Sequence, residues 1–392
     1  MLHDASPDAG VGDLVHVYTK RGEYFGRGLY DPLAKMPLRV YHHHHHHHDQ
    51  LEGDDADHEF GEAGLTQLVQ SAVDLRTKVL RLPERTDAFR VINSDGDGLS
   101  GLIVDKYADV LSIEAHSVGV YQRLKEWIPL LHEVLGTRRH RIATDIRRAG
   151  DASDDAGLFE ELDPGYGSGP VHSVTVKENE VEYEVNFESG HKTGFFCDQR
   201  DNRQRFAQLV RDRTVLDLCC YTGGFAIAAA TTGRAKHVTA VDLDEQAIAQ
   251  ARRNAAANAL RHRPDALRFV HADAFVYARQ LEITGQRFDV VLCDPPKFID
   301  SRDERETARG LRKYEDLNAL AAGLVAPGGL LVTCSCSGLL SETGFEEVVA
   351  RAVHKRNRRM QVLNKTGAGE DHPILASCPE SRYLKVVWAR ML

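Results

Sequence analysis

Two short runs carry side chains suited to making a bond: Asp294-Pro295-Pro296-Lys297, and Thr333-Cys334-Ser335-Cys336-Ser337-Gly338. Consecutive prolines hold the chain extended and remove the N–H groups there, so a flat ring can lie against them with the Asp294 carboxylate alongside. Each run closes an apolar segment, FDVVLCD and GGLLVTCS, that reads as a buried strand. A carboxylate and a thiol at two strand ends suit alkylation of an unreactive ring carbon. The thiolate adds to one carbon, and its neighbour becomes nucleophilic. Without the thiol, the same carboxylate and prolines suit methylation of a ring nitrogen instead.

The group to be transferred needs a holder, and the stretch Val215 to Phe225, VLDLCCYTGGF, supplies one. Its apolar residues read as a parallel strand, and Thr222-Gly223-Gly224 is a turn tight enough to bring backbone N–H groups against a ligand. A second strand, His237 to Val241, ends at Asp242, nineteen residues beyond Gly223. A carboxylate there can accept both hydroxyls of a ribose. A nicotinamide dinucleotide would require G-x-G-x-x-G, but the run here is Y-T-G-G-F with no third glycine before Gly233. S-adenosyl-L-methionine carries no phosphate and needs only one close turn, so it is the cofactor expected. Asp273 ends a further strand, where it can meet an adenine amino group.

These residues must be positioned by the elements between them. From Val215 onward strands and helices alternate: a helix over 245–259, the strand LRFVHAD, a helix, FDVVLCD, a helix over 314–324 and GGLLVTCS. That order predicts a doubly wound parallel sheet with its ligands at the carboxyl ends of the strands. Upstream, ESGHKTGFFCDQRDNRQRF leads into this domain. Asp198 is expected to cap a helix beginning near Gln199, with Asp201 as its capping-box partner. Gly190 and Gly194 around Lys192-Thr193 suggest a pocket wall rather than a linker.

Earlier still, LVHVY, EYFGRGLY and PLRVY are short strands broken by glycines, which indicates a small all-β module. A helix over 64–80 and then AFRVIN, LIVDKY, VLSIEAH, a helix over 120–135, HSVTVKE and VEYEVNFE give a strand-strand-helix-strand-strand middle domain. No convergent acid, base or nucleophile set stands out there, so its expected role is spacing or substrate contact.

Composition sets outer bounds. The 392 residues suffice for two or three cores, and 42% hydrophobic with 27% charged residues is an ordinary globular balance. No apolar run is long enough to span a bilayer and MLHDASPDAG lacks the pattern of a signal peptide, so a cytoplasmic protein without membrane contact is expected. The seven cysteines show no tandem C-x-x-C spacing and are odd in number, which points to free thiols rather than a metal site or disulfides. Seven consecutive histidines, His42 to His48, read as a surface loop or affinity tag rather than a metal site. A net charge of -9 opposes nucleic-acid binding as a total. Its distribution matters more, because Arg138, Arg139, Arg141, Arg147 and Arg148 cluster, as do Arg351, Lys355, Arg356, Arg358 and Arg359.

Taken together, GDLVHVY, GEYFGRGLYDP, DAFRVINSDGDGLSGLIVDKY, HKTGFFCDQRDNR, YTGGFA, VDLD, DPPKF, LNALA, SCSGLL, DHPI and PESRYLK resemble one family over nearly the whole chain. It is the family of class I SAM-dependent large-subunit ribosomal-RNA cytosine-5 methyltransferases with an N-terminal PUA domain. The resemblance implies an α/β fold: a PUA-like RNA-binding domain over 1–68, the central domain over 69–187, and a Rossmann-like methyltransferase domain over 188–392. It implies a donor pocket lined by Asp217, Tyr221, Gly223, Gly224, Asp242, Asp273, Ala274 and Asp294, with Phe196 and Gln199 on a lid running from Lys192 to Arg200. Lys192, Arg200 and Lys297 would then face the RNA. The family's nucleophile falls on Cys336, with Cys334 as a rival that strand alternation would place on the same face. The implied activity is formation of 5-methylcytosine in large-subunit (23S) ribosomal RNA through a cysteine–cytosine adduct.

The chain departs from the family at Cys219-Cys220 and at Glu315, where relatives carry a lysine. The base that removes the ring proton stays unassigned between Lys297 and a water. A guanine N-methyltransferase and a catalytically silent ribosome assembly factor are the competing readings. The oligomeric state is open, a homodimer included.

Overall fold

The structure is a computed structural model that describes residues 4–43, 61–144, 171–188, 195–260, 263 and 265–392. It divides into two compact units: Met1–Val174 with Asp371–Cys378, and Thr175–Glu370 with Pro379–Leu392. Among the described residues no helix is long and apolar enough to cross a membrane, and no cluster of His, Cys, Asp and Glu could hold a metal ion. His44 to His48, Arg147, Arg148 and Lys192 lie outside the described residues.

The first unit opens with an antiparallel sheet of β1 (Leu14–Tyr18), β2 (Tyr24–Tyr30) and β3 (Leu38–His43). Helix α1 (Glu62–Asp74) follows, burying Leu65, Val69, Ala72 and Val73 at helical spacing. A second sheet runs β4 (Ala88–Asn93), β5 (Leu102–Tyr107), β6 (Val110–Ala115) and β7 (Arg139–Thr144), with α2 (Val118–Leu135) crossing between the parallel pair β6 and β7. Leu29 and Tyr41 of the first sheet share one core with Leu65 of α1, Val104 of β5 and Trp127 of α2. A boundary at residue 68 would cut α1 in the middle of that buried face.

The second unit, from Thr175, takes in most of β8 (Ser173–Glu178), which pairs with β9 (Val181–Asn186) in a two-stranded sheet, and continues with α3 (Arg200–Leu209). The alternation then reads β10 (Thr214–Leu218), α4 (Gly224–Ala230), β11 (His237–Asp242), α5 (Glu245–Ala257), β12 (Leu267–His271), α6 (Ala274–Ile283), β13 (Phe288–Cys293), α7 (Glu304–Leu324) and β14 (Val325–Ser335). Helix α8 (Glu342–His354) and strands β15 (Met360–Thr366) and β16 (Lys385–Met391) complete it. The sheet order is β12-β11-β10-β13-β14-β16-β15, parallel except for β16. This is the doubly wound α/β sheet expected from the alternation, with β16 added antiparallel.

Strands β8 and β9 do not extend the middle sheet, as the strand-strand-helix-strand-strand order had it. Side-chain amides on α5 hold them instead. Asn254 Oδ1 accepts from the Glu184 amide at 2.9 Å, Asn258 Oδ1 accepts from the Glu182 amide at 2.9 Å, and Asn258 Nδ2 donates to the Glu182 carbonyl at 2.7 Å. An exposed strand edge thereby finds hydrogen-bond partners on a helix. The fourth place in the middle sheet is taken by β7, whose sequence RHRIAT hides its strand character behind charged side chains; Arg139 pairs with Asp109 at 2.8 Å.

Candidate active site

Strand β10 lies between β11 and β13, so the chain crosses to opposite faces of the sheet on either side of it and leaves a crevice at their carboxyl ends. The loop after β10 is tightly wound: Cys219, Tyr221 and Gly223 have φ of 66°, 49° and 84°. A Cβ at Gly223 would stand 3.1 Å from both Ala251 Cβ and Ile227 Cδ1, in a backbone conformation that side chains rarely adopt. Polar groups from three other elements fix this loop. The Tyr183 hydroxyl donates to the Gly224 carbonyl at 3.0 Å, and Asn254 Nδ2 donates to the Thr222 carbonyl at 3.2 Å. Asp242 Oδ2 accepts from the Tyr221 amide at 2.8 Å and Oδ1 from the Asp244 amide at 2.9 Å. Each Asp242 oxygen keeps a second lone pair for a hydroxyl.

Carboxylates dominate the floor. Asp217 is 1% exposed, and neither of its oxygens has a hydrogen-bond partner of normal geometry, the Ala226 amide offering only a weak interaction. Burial first, then the charges of Asp294 and Asp242, hold its carboxyl well above the usual range. Asp294 is pushed up to about 7 by burial and by the charge of Asp198, against the opposing hydrogen bond from Gln199 Nε2 at 3.0 Å. Asp198 accepts from the Tyr383 hydroxyl at 2.6 Å through Oδ2, while its Oδ1 is buried without a partner. The cation that partly offsets Asp294 is Arg203, but its guanidinium already binds Glu178 in a fork at 2.7 and 2.7 Å. Acids gathered with only Arg203 to offset them among the described residues favour a cationic ligand, and the sulfonium and ammonium of S-adenosyl-L-methionine fit that need.

At the neighbouring strand end, Cys334 lies within β14 and is fully buried. Burial, followed by the Asp294 charge, pushes its thiol far up, so it is held protonated. The strand ends at Ser335, so alternation does not carry Cys336 onto the face of Cys334; Cys336 sits beyond the strand and is half-buried. The next residue ties the two chemical loops together. Ser337 Oγ accepts from the Ile299 amide at 3.1 Å and hydrogen-bonds the Tyr314 hydroxyl at 2.8 Å, joining the loop after Asp294 to the loop of Cys336.

Comparison with known proteins places this geometry. A family described as "Methyltransferase domain" matches residues 215–314. The "Ribosomal RNA large subunit methyltransferase I" of Shewanella frigidimarina is 34% identical over 381 residues, covering 97% of this chain and 91% of the relative. The chain belongs to this family. The protein of the same description from Aeromonas hydrophila is 36% identical over 383 residues, covering 97% of this chain and 91% of its own. Among solved structures, a SAM-dependent methyltransferase from Streptococcus mutans superposes with a TM-score of 0.75 at 21% identity, covering 97% of this chain and 92% of that one. A methyltransferase solved in complex with SAH superposes with a TM-score of 0.77 at 22% identity, covering 98% and 93%.

Most of the residues expected at the donor pocket come together. Asp217, Tyr221, Gly223, Gly224, Asp242, Asp294 and Gln199 line or brace the crevice, and the Phe196 ring lies 5.3 Å from that of Tyr221. Asp273 accepts from the Val276 amide at 2.9 Å as the cap of α6, and Ala274 is buried in its first turn. Lys297 is exposed. Arg200, expected to face RNA, is instead 0% exposed and lies 3.3 Å from Asp201. Asp198 does not cap that helix; Gln199 stands at the cap without a side-chain bond, and Asp198 turns to Tyr383. Glu315 is held by Arg351 at 3.1 Å and by Lys355.

Sequence reasoning missed Glu178, Tyr183, Asn254, Tyr314 and Ser337. One signal was available for Glu178: it stands two residues from the buried Val176, on the face of β8 where a lone carboxylate needs a partner.

Proposed function

We propose that the chain transfers the methyl group of S-adenosyl-L-methionine to carbon 5 of a cytosine in large-subunit ribosomal RNA, with Cys336 as nucleophile. The observation that carries this reading is the contrast between the two thiols. Cys334 is sealed and protonated, whereas Cys336 stands past the end of β14 on a loop braced against that of Asp294. Bound in the acidic crevice, the donor supplies an electrophilic methyl group. The Cys336 thiolate adds to carbon 6, which makes carbon 5 nucleophilic. The Asp294 carboxylate can hold a proton, taken up from water, on the ring nitrogen as charge builds there. Carbon 5 then takes the methyl group as its bond to the sulfonium breaks to leave a neutral thioether, and passage of the carbon 5 proton to a water or Lys297 breaks the carbon–sulfur bond and returns the thiolate. The Asp242 carboxylate receives the ribose hydroxyls, and Asp217 faces the donor's ammonium.

In the same reading, the three-stranded sheet of the first unit is a PUA-like RNA contact, and β4–β7 form the central domain. Support comes from His16 and Tyr18 beside Tyr24, with ring centroids 5.7 and 5.6 Å apart, and from Arg27 hydrogen-bonded to His16 at 3.1 Å. Exposed rings with a guanidinium suit stacking of unpaired bases. Cys336→Ala should abolish 5-methylcytosine formation while donor binding persists, and RNA carrying 5-fluorocytosine should trap a covalent adduct with the unaltered protein only. Normal methylation by that variant would refute the nucleophile. If Cys334→Ala alone were inactive, the wrong sulfur has been named.

A further inference from the structure

Lys385 opens β16 directly opposite Ser335, the last residue of β14. Its side chain is 3% exposed, and it forms no ion pair among the described residues. The ammonium donates to the Ser337 carbonyl at 2.6 Å and to the Leu340 carbonyl at 2.7 Å, the two ends of the turn that leaves Cys336. A buried ammonium supplied mainly with neutral carbonyls is costly, because an ammonium is expensive to desolvate. Burial accordingly draws its proton affinity down to about 8, while the negative charges of Cys336 and Glu342 pull it back up. A glutamine or methionine would satisfy the packing more cheaply, so the charge itself calls for a use.

We infer that Lys385 is a positioning residue for the methyl transfer: its buried ammonium fixes the Ser337–Leu340 turn and holds Cys336 as a thiolate before RNA arrives. Tyr314 is a neutral phenol whose proton affinity burial raises further, and Ser335 and Ser337 are buried hydroxyls bonded to their neighbours. Asp294, on the adjoining loop, acts in the opposite sense and disfavours a second negative charge nearby. The cation on β16, seated on the turn that leaves Cys336, thus favours ionisation of that thiol.

This inference rests on Cys336 being the nucleophile, yet its test reads the sulfur without methylation. Iodoacetamide labelling of Cys336, followed by mass spectrometry of its peptide from pH 6 to 10, should show a midpoint below the ~8.5 of a free cysteine. Lys385→Met should move that midpoint up by at least one pH unit, slowing labelling at neutral pH roughly tenfold, whereas Lys385→Arg should keep most of the shift. Donor binding by calorimetry reports whether each variant is folded. A midpoint in the unaltered protein at or above that of free cysteine overturns the inference, whatever becomes of the variants. So does a Lys385→Met protein that binds donor and labels with an unchanged profile, since the lysine would then only brace the turn. Failure of the 5-fluorocytosine adduct alongside a normal labelling shift would instead implicate the assignment of the nucleophile.

Discussion

Asp294 shows how one residue can couple the crevice to pH. Its folded-state proton affinity, about 7, lies above the ~3.9 of an unfolded aspartate, so the unfolded chain releases this proton first as pH rises. The group is neutral in both states below the unfolded value and costs stability progressively between about pH 4 and pH 7, after which the penalty is constant. A cationic ligand prefers the ionised carboxylate and offsets that penalty. Donor affinity should therefore rise from about pH 6 to about pH 7.5, and Asp294→Asn should flatten both the affinity profile and the decline in apoprotein stability. Titration calorimetry at several pH values checks this. An affinity that is flat in the unaltered protein would show that Asp294 does not sense the donor. Asp217, 1% exposed, is held well above the usual carboxylate range by burial and by the charges of Asp294 and Asp242.

At the scale of elements, the crevice depends on β8, β9 and α3 as much as on the strand ends. Arg203 of α3 binds Glu178 of β8 with both side chains buried, donates to the Phe196 carbonyl at 2.9 Å and lies 4.6 Å from the centre of the Phe195 ring. It also fills the space beside Gly224, where a Cβ would be 3.2 Å from Arg203 Cδ. Glu178→Gln strands a buried guanidinium and should cost about 3 to 5 kcal/mol of stability in urea unfolding, whereas replacing both partners by methionine should cost much less. Equal, small losses in single and double variants would mean that the pair is solvated.

The parallel alternation was legible because each strand is a near-continuous apolar run closed by an acid or a turn: VLDL before Cys219, HVTAV before Asp242, FDVVLC before Asp294. Those acids stand at the crevice, so the sheet and the candidate site were read from the same signals. The bracing network was not legible. Tyr183, Asn254 and Ser337 act through partners 23 to 70 residues away, and no periodicity encodes such pairings.

For the whole molecule, the least readable feature is where the chain returns. DHPI was noticed as a run near the end of the last domain, yet Asp371–Cys378 belongs to the first unit. Its place is set by polar bonds to residues almost three hundred positions earlier, which hydropathy cannot show. The fully buried Arg76 donates to the Asp371 carbonyl at 2.6 Å and also pairs with Asp97. Asp371 Oδ2 accepts from the Arg90 amide at 2.9 Å, and Asn93 donates to the Pro373 carbonyl at 3.1 Å. A Cβ on Gly96 would collide with that same carbonyl, at 2.0 Å. The first unit is thus completed only after the methyltransferase sheet has been threaded, apart from β16. Asp371→Ala removes the acceptor of a strand amide and should cost about 1 to 3 kcal/mol, borne by the first unit alone. Hydrogen exchange should then show protection lost across β4 while β10 and β13 keep theirs and donor binding is unchanged. Equal loss of protection in both units would mean that they unfold as one body, and no loss at all would mean that the returning segment does not hold β4 in place.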